Sequence, residues 1–357
     1  MNPKVTILMA VFNGEEYIKD CIDSVLSQTY KDFEFLIIDD CSADSSIGIV
    51  KSYDDARIRV IENKRNLNQV KSLNIGLTHA RGEYVARIDQ DDMMLRHRLE
   101  KQVEFLDKRR DVSVVGTWGE VIDEKGSIFT ILRLPVTIGE IAANVLFAGH
   151  FLMHSSVIFR KDPVIESGKY DETFSFAEDY DLWTRLLLKG YRFANIPECL
   201  IKFRYHKKSS SRKFSDFQLN NTRRSISNFI KSIIDGDCSP ALESLLDILI
   251  NMGLMNKDFF ASEADSFVHS AEIIDLLDRI LTKTARHLNF NKNETYLMKK
   301  IFYNKLLNFI FQGRRLKSDL SINLYSYCLK NFVYILGNPR FYIYPLASGS
   351  AYGNRKK

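Results

Sequence analysis

Three short, largely apolar runs, Lys4–Ala10, Phe33–Ile38 and Tyr84–Ile88, and a short strand over Arg57–Glu62 alternate with stretches whose apolar residues recur every three or four positions. An apolar run without polar alternation is what a parallel strand covered on both faces requires. The alternation therefore spells β-α-β-α-β-α-β, a sheet with helices on both sides. After the first run, Asn13 and Gly14 turn the chain. Glu15 and Glu16 are expected to open a helix, favourably placed against its N-terminal dipole, with Ile18, Ile22, Val25 and Leu26 as its buried stripe. Helices are expected over 46–53 and 70–80, and a third over 95–108. Strands are expected over 112–122, near 155–160 and over 198–205. Leu182, Leu186 and Leu187 mark one more helix, with Glu178 and Asp179 in its first turn.

Parallel sheets bind ligands beyond the carboxyl ends of their strands. Three polar clusters fall at such ends: Ala10–Asn13, Asp39–Asp44 and Asp89–Asp92. No G-x-G-x-x-G follows the first strand, which disfavours an ordinary dinucleotide fold. Asp89, Asp91 and Asp92 repel one another unless something compensates them. They are either a solvated acidic turn or a site for a hard divalent cation that completes its shell with water and substrate phosphate. Glu178 and Asp179 taken alone are either dipole-stabilising or capping groups or functional carboxylates, and a lone histidine such as His206 is more often structural than a ligand.

Hydrophobic residues make up 45% of the 357 and charged ones 27%, the profile of a soluble globular chain. The five cysteines (Cys21, Cys41, Cys199, Cys238, Cys328) have no C-x-x-C spacing, so reduced thiols are expected rather than disulfides or zinc. Met-Asn-Pro-Lys leads straight into a strand, and no apolar run reaches the roughly 18 residues of a membrane span, so a cytoplasmic protein without a signal peptide is expected. Charge is uneven. Residues 207–357 carry 23 Lys and Arg against 13 Asp and Glu, and residues 1–206 carry 27 against 32.

The assembled motifs resemble family 2 glycosyltransferases of the GT-A fold, of the kind that build bacterial surface polysaccharides such as capsule, O-antigen and exopolysaccharide. The resemblance rests on Val5–Asn13, Ser24-Val-Leu-Ser-Gln-Thr-Tyr30, Phe33–Asp40, Leu73-Asn-Ile-Gly76, Ala80-Arg-Gly-Glu-Tyr-Val85, Asp89–Asp92, Arg98–Phe105, Ala177–Arg185 and Phe203-Arg-Tyr-His206. It implies a catalytic domain over residues 1–210, with a Rossmann-like, mostly parallel sheet. It implies that Ala10, Phe12, Asn13 and Asp40 cradle a nucleobase, Asp40 accepting from uracil. Asn68, Lys71, Asp89 and Gln90 then contact the nucleotide sugar, while Asp91, Asp89 and His206 hold Mn²⁺ or Mg²⁺. Asp92 shares the metal or fixes the loop. Asp179 is the implied catalytic base, supported by Glu178, in a single in-line displacement that inverts the anomeric carbon. The implied partners are a UDP-hexose donor and a glycan or lipid-linked oligosaccharide acceptor.

The chemistry supplies the reasons. A departing diphosphate needs charge neutralisation, and an acceptor hydroxyl needs a carboxylate within hydrogen-bond reach. A nucleotidyltransferase acting on a sugar phosphate would share the sheet and the carboxylates. It would usually carry a Gly-rich basic loop after the first strand, where this chain has Val-Phe-Asn-Gly-Glu-Glu. A non-catalytic sugar-nucleotide-binding partner is disfavoured because every expected carboxylate is present.

Residues 211–357 match no motif. Apolar spacing predicts helices over 225–234, 242–250, 271–281, 296–311 and 324–336, a helical domain for acceptor, membrane-surface or homo-oligomer contacts. Tyr325, Tyr327, Phe332, Tyr334, Phe341, Tyr342 and Tyr344 lie near Arg340 and Arg355-Lys356-Lys357. Aromatic and basic residues together fit either a core with a solvated face or peripheral contact with the inner membrane. Nucleic acid is not an expected partner, since the cleft is acidic and no binding module is present.

Overall fold

The computed structural model describes residues 2–147, 149–206, 215–234, 242–243, 245–247, 249 and 270–312. The expected helix over 324–336 and the aromatic and basic stretch that follows lie outside the described residues. The chain divides into two compact units, Met1–Ile141 with His150–Phe229, and Ala142–Gly149 with Ile230–Lys357.

In the first unit, β1 (Val5–Val11), β2 (Phe33–Asp39), β3 (Ile58–Glu62) and β4 (Tyr84–Arg87) pair in parallel in the order β3-β2-β1-β4. Beyond β4 the sheet turns mixed. β8 (Ile158–Arg160) runs antiparallel to β4 and to β6 (Val112–Ile122), β9 (Arg192–Arg204) runs parallel to β6, and β5 (Met93–Met94) closes the far edge against β9. β7 (Ile128–Leu132) forms a hairpin on β6. β2 is buried along its whole length, including Glu34, which pairs with Arg59. Gly82 precedes β4 because a Cβ there would stand 2.4 Å from the backbone nitrogen of Thr6.

Helices α1 (Ile18–Leu26), α2 (Ser46–Lys51), α3 (Gln69–His79), α4 (Arg98–Lys108), α6 (Lys161–Glu166) and α7 (Glu178–Leu188) cover this sheet and its edges. The expected stripe of α1 is buried at Ile18, Ile22 and Val25, joined by Cys21. Each such side chain contributes roughly 1.5–3 kcal/mol. Glu15 and Glu16 lie before the helix and not in its first turn. Glu15 accepts from the backbone of Ser45, which ties the turn to the next loop and delays the helix. The helix expected from Leu95 starts at Arg98, because Met93 and Met94 pair with β9 and the Leu95 amide donates to Leu200. β9 begins six residues earlier than expected. Pro197 hides it in the sequence, and the register slips between Thr117 and Trp118 so that Pro197 leaves the ladder. β7, α6 and α5 (Ile138–Leu146) were not anticipated from periodicity.

The expected domain boundary at 210 falls outside the described residues. The compact units divide at 229, because α8 (Ser215–Ile233) is tied to the first unit by Asn221 on the Ser175 carbonyl and Arg224 on Thr173. In the second unit, α9 (Ser270–His287) buries Leu276, Leu277, Ile280 and Leu281. α10 (Lys292–Gln312) packs Phe302 against Phe147 with ring centroids 4.6 Å apart. No helix among the described residues is long and apolar enough to cross a membrane.

Candidate active site

The loops after β1 and β2 are sewn together. Asn13, in the left-handed region at φ 49°, donates its amide to Ser42 Oγ and accepts from the Ala43 amide. The Gly14 amide donates to Ser46 Oγ at 2.7 Å. Phe12 is 45% exposed, and its amide and carbonyl are both bound by the Gln90 side chain, at 2.9 and 3.1 Å. A Cβ on Gly14 would stand 2.5 Å from Gln90 Oε1, so the glycine leaves the room that this clasp needs. Ala10, half-buried, ends this wall.

Asp40, buried at the end of β2, accepts from the Leu67 amide and Asn63 Nδ2 through Oδ1. No hydrogen bond among the described residues is made through its other oxygen. Asn68 caps α3 by accepting from the Lys71 amide. Lys71 Nζ lies 3.4 Å from Glu172. Both therefore have protein partners on the rim.

The acidic loop after β4 gives its carboxylates three different settings. Asp89 is ion-paired with Arg87 and accepts from Gln69 Nε2, while its amide donates to Ser155 Oγ. Asp91 Oδ2 stands 2.8 Å from His206 Nε2. Asp92 is fully buried and accepts the Arg204 amide at 2.8 Å, which pins the loop to the end of β9. Burial and the neighbouring Asp91 and Asp89 raise the Asp92 carboxyl well above its usual range. Burial also raises Asp89, opposed by the Arg87 charge. The buried Arg204 guanidinium donates to the carbonyls of Asp91, Asp123 and Glu124 and to Asp20, and lies 4.5 Å over the Tyr17 ring. Tyr17 in turn packs on His206, centroids 5.1 Å apart.

At the start of α7, Glu178 is buried and its Oε2 has no hydrogen-bond partner. Burial first, then the Asp179 charge, pushes its carboxyl up to about 7. Asp179 is half-buried, takes the Tyr180 amide on Oδ1, and is raised by burial. The charges of Arg87 and Asp89 reach both residues, so α7 and the acidic loop share one electrostatic site. Leu182, Trp183, Leu186 and Leu187 are buried beneath, holding the helix start. Asp181 and Arg185 pair at 2.7 Å, and Arg185 also binds the carbonyls of Ser167 and Lys169.

Among the described residues, no group of three or more His, Cys, Asp or Glu converges as a closed metal site. Asp91 and His206 offer one hard oxygen and one imidazole nitrogen side by side. Two protein donors suit a cation that takes its other ligands from a diphosphate and water. Sequence reading passed over Arg87, Arg204, Tyr17, Gln69 and Ser155. Arg87 alone carried a signal: it is a charge inside a run that must be covered on both faces.

Residues 6–168 match the family described as Glycosyl transferase family 2. The putative glycosyltransferase EpsE of Bacillus subtilis is 35% identical over 224 residues, 61% of this chain and 79% of that protein. The O-antigen biosynthesis glycosyltransferase WbnJ of Escherichia coli is 34% identical over 214 residues, 58% of this chain and 82% of that one. Among solved structures, S. aureus TarS 1–349 in complex with UDP-GlcNAc shares the fold, with TM-score 0.54 and 17% identity over 92% of this chain and 91% of that one. Of a longer TarS chain, this protein spans 55%. The sheet and the helices that cover it are thus those of the GT-A architecture, a C-terminal helical region follows, and the chain belongs to glycosyl transferase family 2.

Proposed function

We propose that the protein is an inverting glycosyltransferase that moves a hexose from UDP to a growing surface polysaccharide or its lipid-linked precursor. Three features of the first unit support the reading: Asp40, held through Oδ1 just after β2, the Asp91–His206 pair after β4, and the Glu178–Asp179 start of α7. Asp40 Oδ2 would accept from the uracil ring, with Ala10, Phe12 and Asn13 forming the wall of the base pocket and Gln90 setting its depth. Asn68 and Lys71 would line the rim, and Asp89 the ribose side. Relatives named for O-antigen and amylovoran biosynthesis support the polysaccharide assignment.

Asp91 and His206 would hold Mn²⁺ or Mg²⁺, whose contribution is to neutralise charge on the departing diphosphate. Asp179, the more accessible of the two helix-start carboxylates, takes the proton of the acceptor hydroxyl. The acceptor oxygen then bonds to the anomeric carbon as the bond to the phosphate oxygen breaks, and UDP leaves on the opposite face. Glu178, buried and with its carboxyl pushed up to about 7, spares the Asp179 carboxylate a second full charge beside it. Residues 1–210 would suffice for donor chemistry, while the helical region would serve acceptor contact, self-association or peripheral attachment at the cytoplasmic membrane face. A panel of nucleotide sugars, read by nucleotide release with and without Mn²⁺, tests the reading. Turnover restricted to UDP-hexoses and lost on chelation is expected, and metal-independent turnover or preference for a nucleoside triphosphate overturns it.

A further inference from the structure

Two arginines lie fully buried beneath the cleft, and they are not alike. Arg98 is saturated: its guanidinium donates to Gln102 Oε1 and to the carbonyls of Ser155, Arg87 and Val157. That is how a structural buried charge is satisfied. Arg87, 1% exposed at the end of β4, has the Asp89 carboxylate as the ion partner of its Nη1, while its Nε has no hydrogen-bond partner among the described residues. Burying a guanidinium so incompletely satisfied is costly, and an apolar side chain of similar volume serves packing as well or better. The residue therefore calls for a reason other than stability.

Its surroundings supply one. The only ion pair of the guanidinium among the described residues is with Asp89. Asp89 meets it across one intervening residue, whereas Asp91 points the other way to His206.

We propose that Arg87 is a positioning residue: it fixes the direction of the Asp89 carboxylate, leaving Asp91 and His206 as the cation ligands. The assignment rests on the donor-and-base reading above and names a residue that acts through Asp89. A guanidinium suits this task better than an ammonium because its fork fixes direction as well as charge.

The test is a cycle of Arg87→Met, Asp89→Asn and their combination, with Arg87→Lys alongside. UDP affinity with and without Mn²⁺ is measured by calorimetry, kcat on the best donor, and Tm for each protein. Arg87→Met is expected to weaken UDP binding about tenfold and lower kcat about a hundredfold, the scale of an ångström-level misplacement. Arg87→Lys should recover most of the kcat. In the Asp89→Asn background, Arg87→Met should change UDP affinity by less than about threefold, since coupled residues are not additive. If Arg87→Met does not fold, Arg87→Lys and the charge-free double variant still report. Independent, multiplying effects on UDP affinity overturn the proposal, as does an Arg87→Lys protein with normal Tm but no kcat recovery. The binding cycle needs no turnover, so a wild-type protein that binds UDP but transfers nothing sinks the functional reading and leaves this one decidable.

Discussion

Replacing Glu178 by Gln isolates the physical cost of the carboxylate at the start of α7. In the fold, burial and the adjacent Asp179 carry its pKa from the usual 4.5 to about 7. A carboxyl raised on folding stabilises the fold when protonated, so its contribution is complete below pH 4.5 and is lost as the pH rises through 7. At 1.36 kcal/mol per pH unit the loss comes to about 3 kcal/mol. Gln has no proton to lose, so the difference in stability between wild type and Glu178→Gln should move by about that amount between pH 4.5 and 8, in favour of the variant at the alkaline end. Comparing two proteins cancels every titrating group that does not feel the Glu178 charge. Urea unfolding read by tryptophan emission suits the measurement, because Trp118 and Trp183 both lie in the first unit. For a body of this size the shift in relative Tm is about 6–12 °C. Adding Asp179→Asn removes the second cause, so the same transition should move to lower pH. A stability difference that stays flat from pH 4.5 to 8 refutes the reasoning, since Glu178 would then titrate as it does in the unfolded chain.

Asp179→Asn should lower kcat by about 10²–10⁴-fold with UDP affinity nearly unchanged, the loss typical of a positioned base; a larger loss for Glu178→Gln would reverse the two roles. Asp91→Asn should abolish the Mn²⁺-dependent part of UDP binding in calorimetry while leaving Tm within a few degrees. Gly14→Ala should push Gln90 off Phe12 and raise the donor KM about tenfold with little loss of stability, because the displaced group is the end of a flexible side chain. Gly82→Ala meets backbone of Thr6, Val5 and Tyr84 instead, and should destabilise by about 1–3 kcal/mol or more in urea titration without altering the donor KM.

The four parallel strands and their helices were legible because each has a local cause. Two-sided burial leaves an uninterrupted apolar run, as in Phe35–Ile38, and one-sided burial leaves the stripe Ile18, Ile22, Val25. The rule that ligands bind at strand ends then placed Asp40, Asp89 and Asp91 on one edge before any coordinates. Local cause fails where partners are distant in sequence. Pro197 conceals β9, whose ladder is set by β6 some eighty residues earlier, and only pairing with β9 delays α4 to Arg98. The division of labour among the three aspartates was likewise invisible. Their spacing is the same whichever faces the cleft, and it is Arg87, His206 and the Arg204 amide, 2 to 115 residues away in the chain, that give each carboxylate its setting. Sequence determines which chemical groups arrive at the edge of the sheet. Packing of remote segments decides which are buried, which are neutralised and which are left to act, because desolvation and charge pairing depend on distance in space.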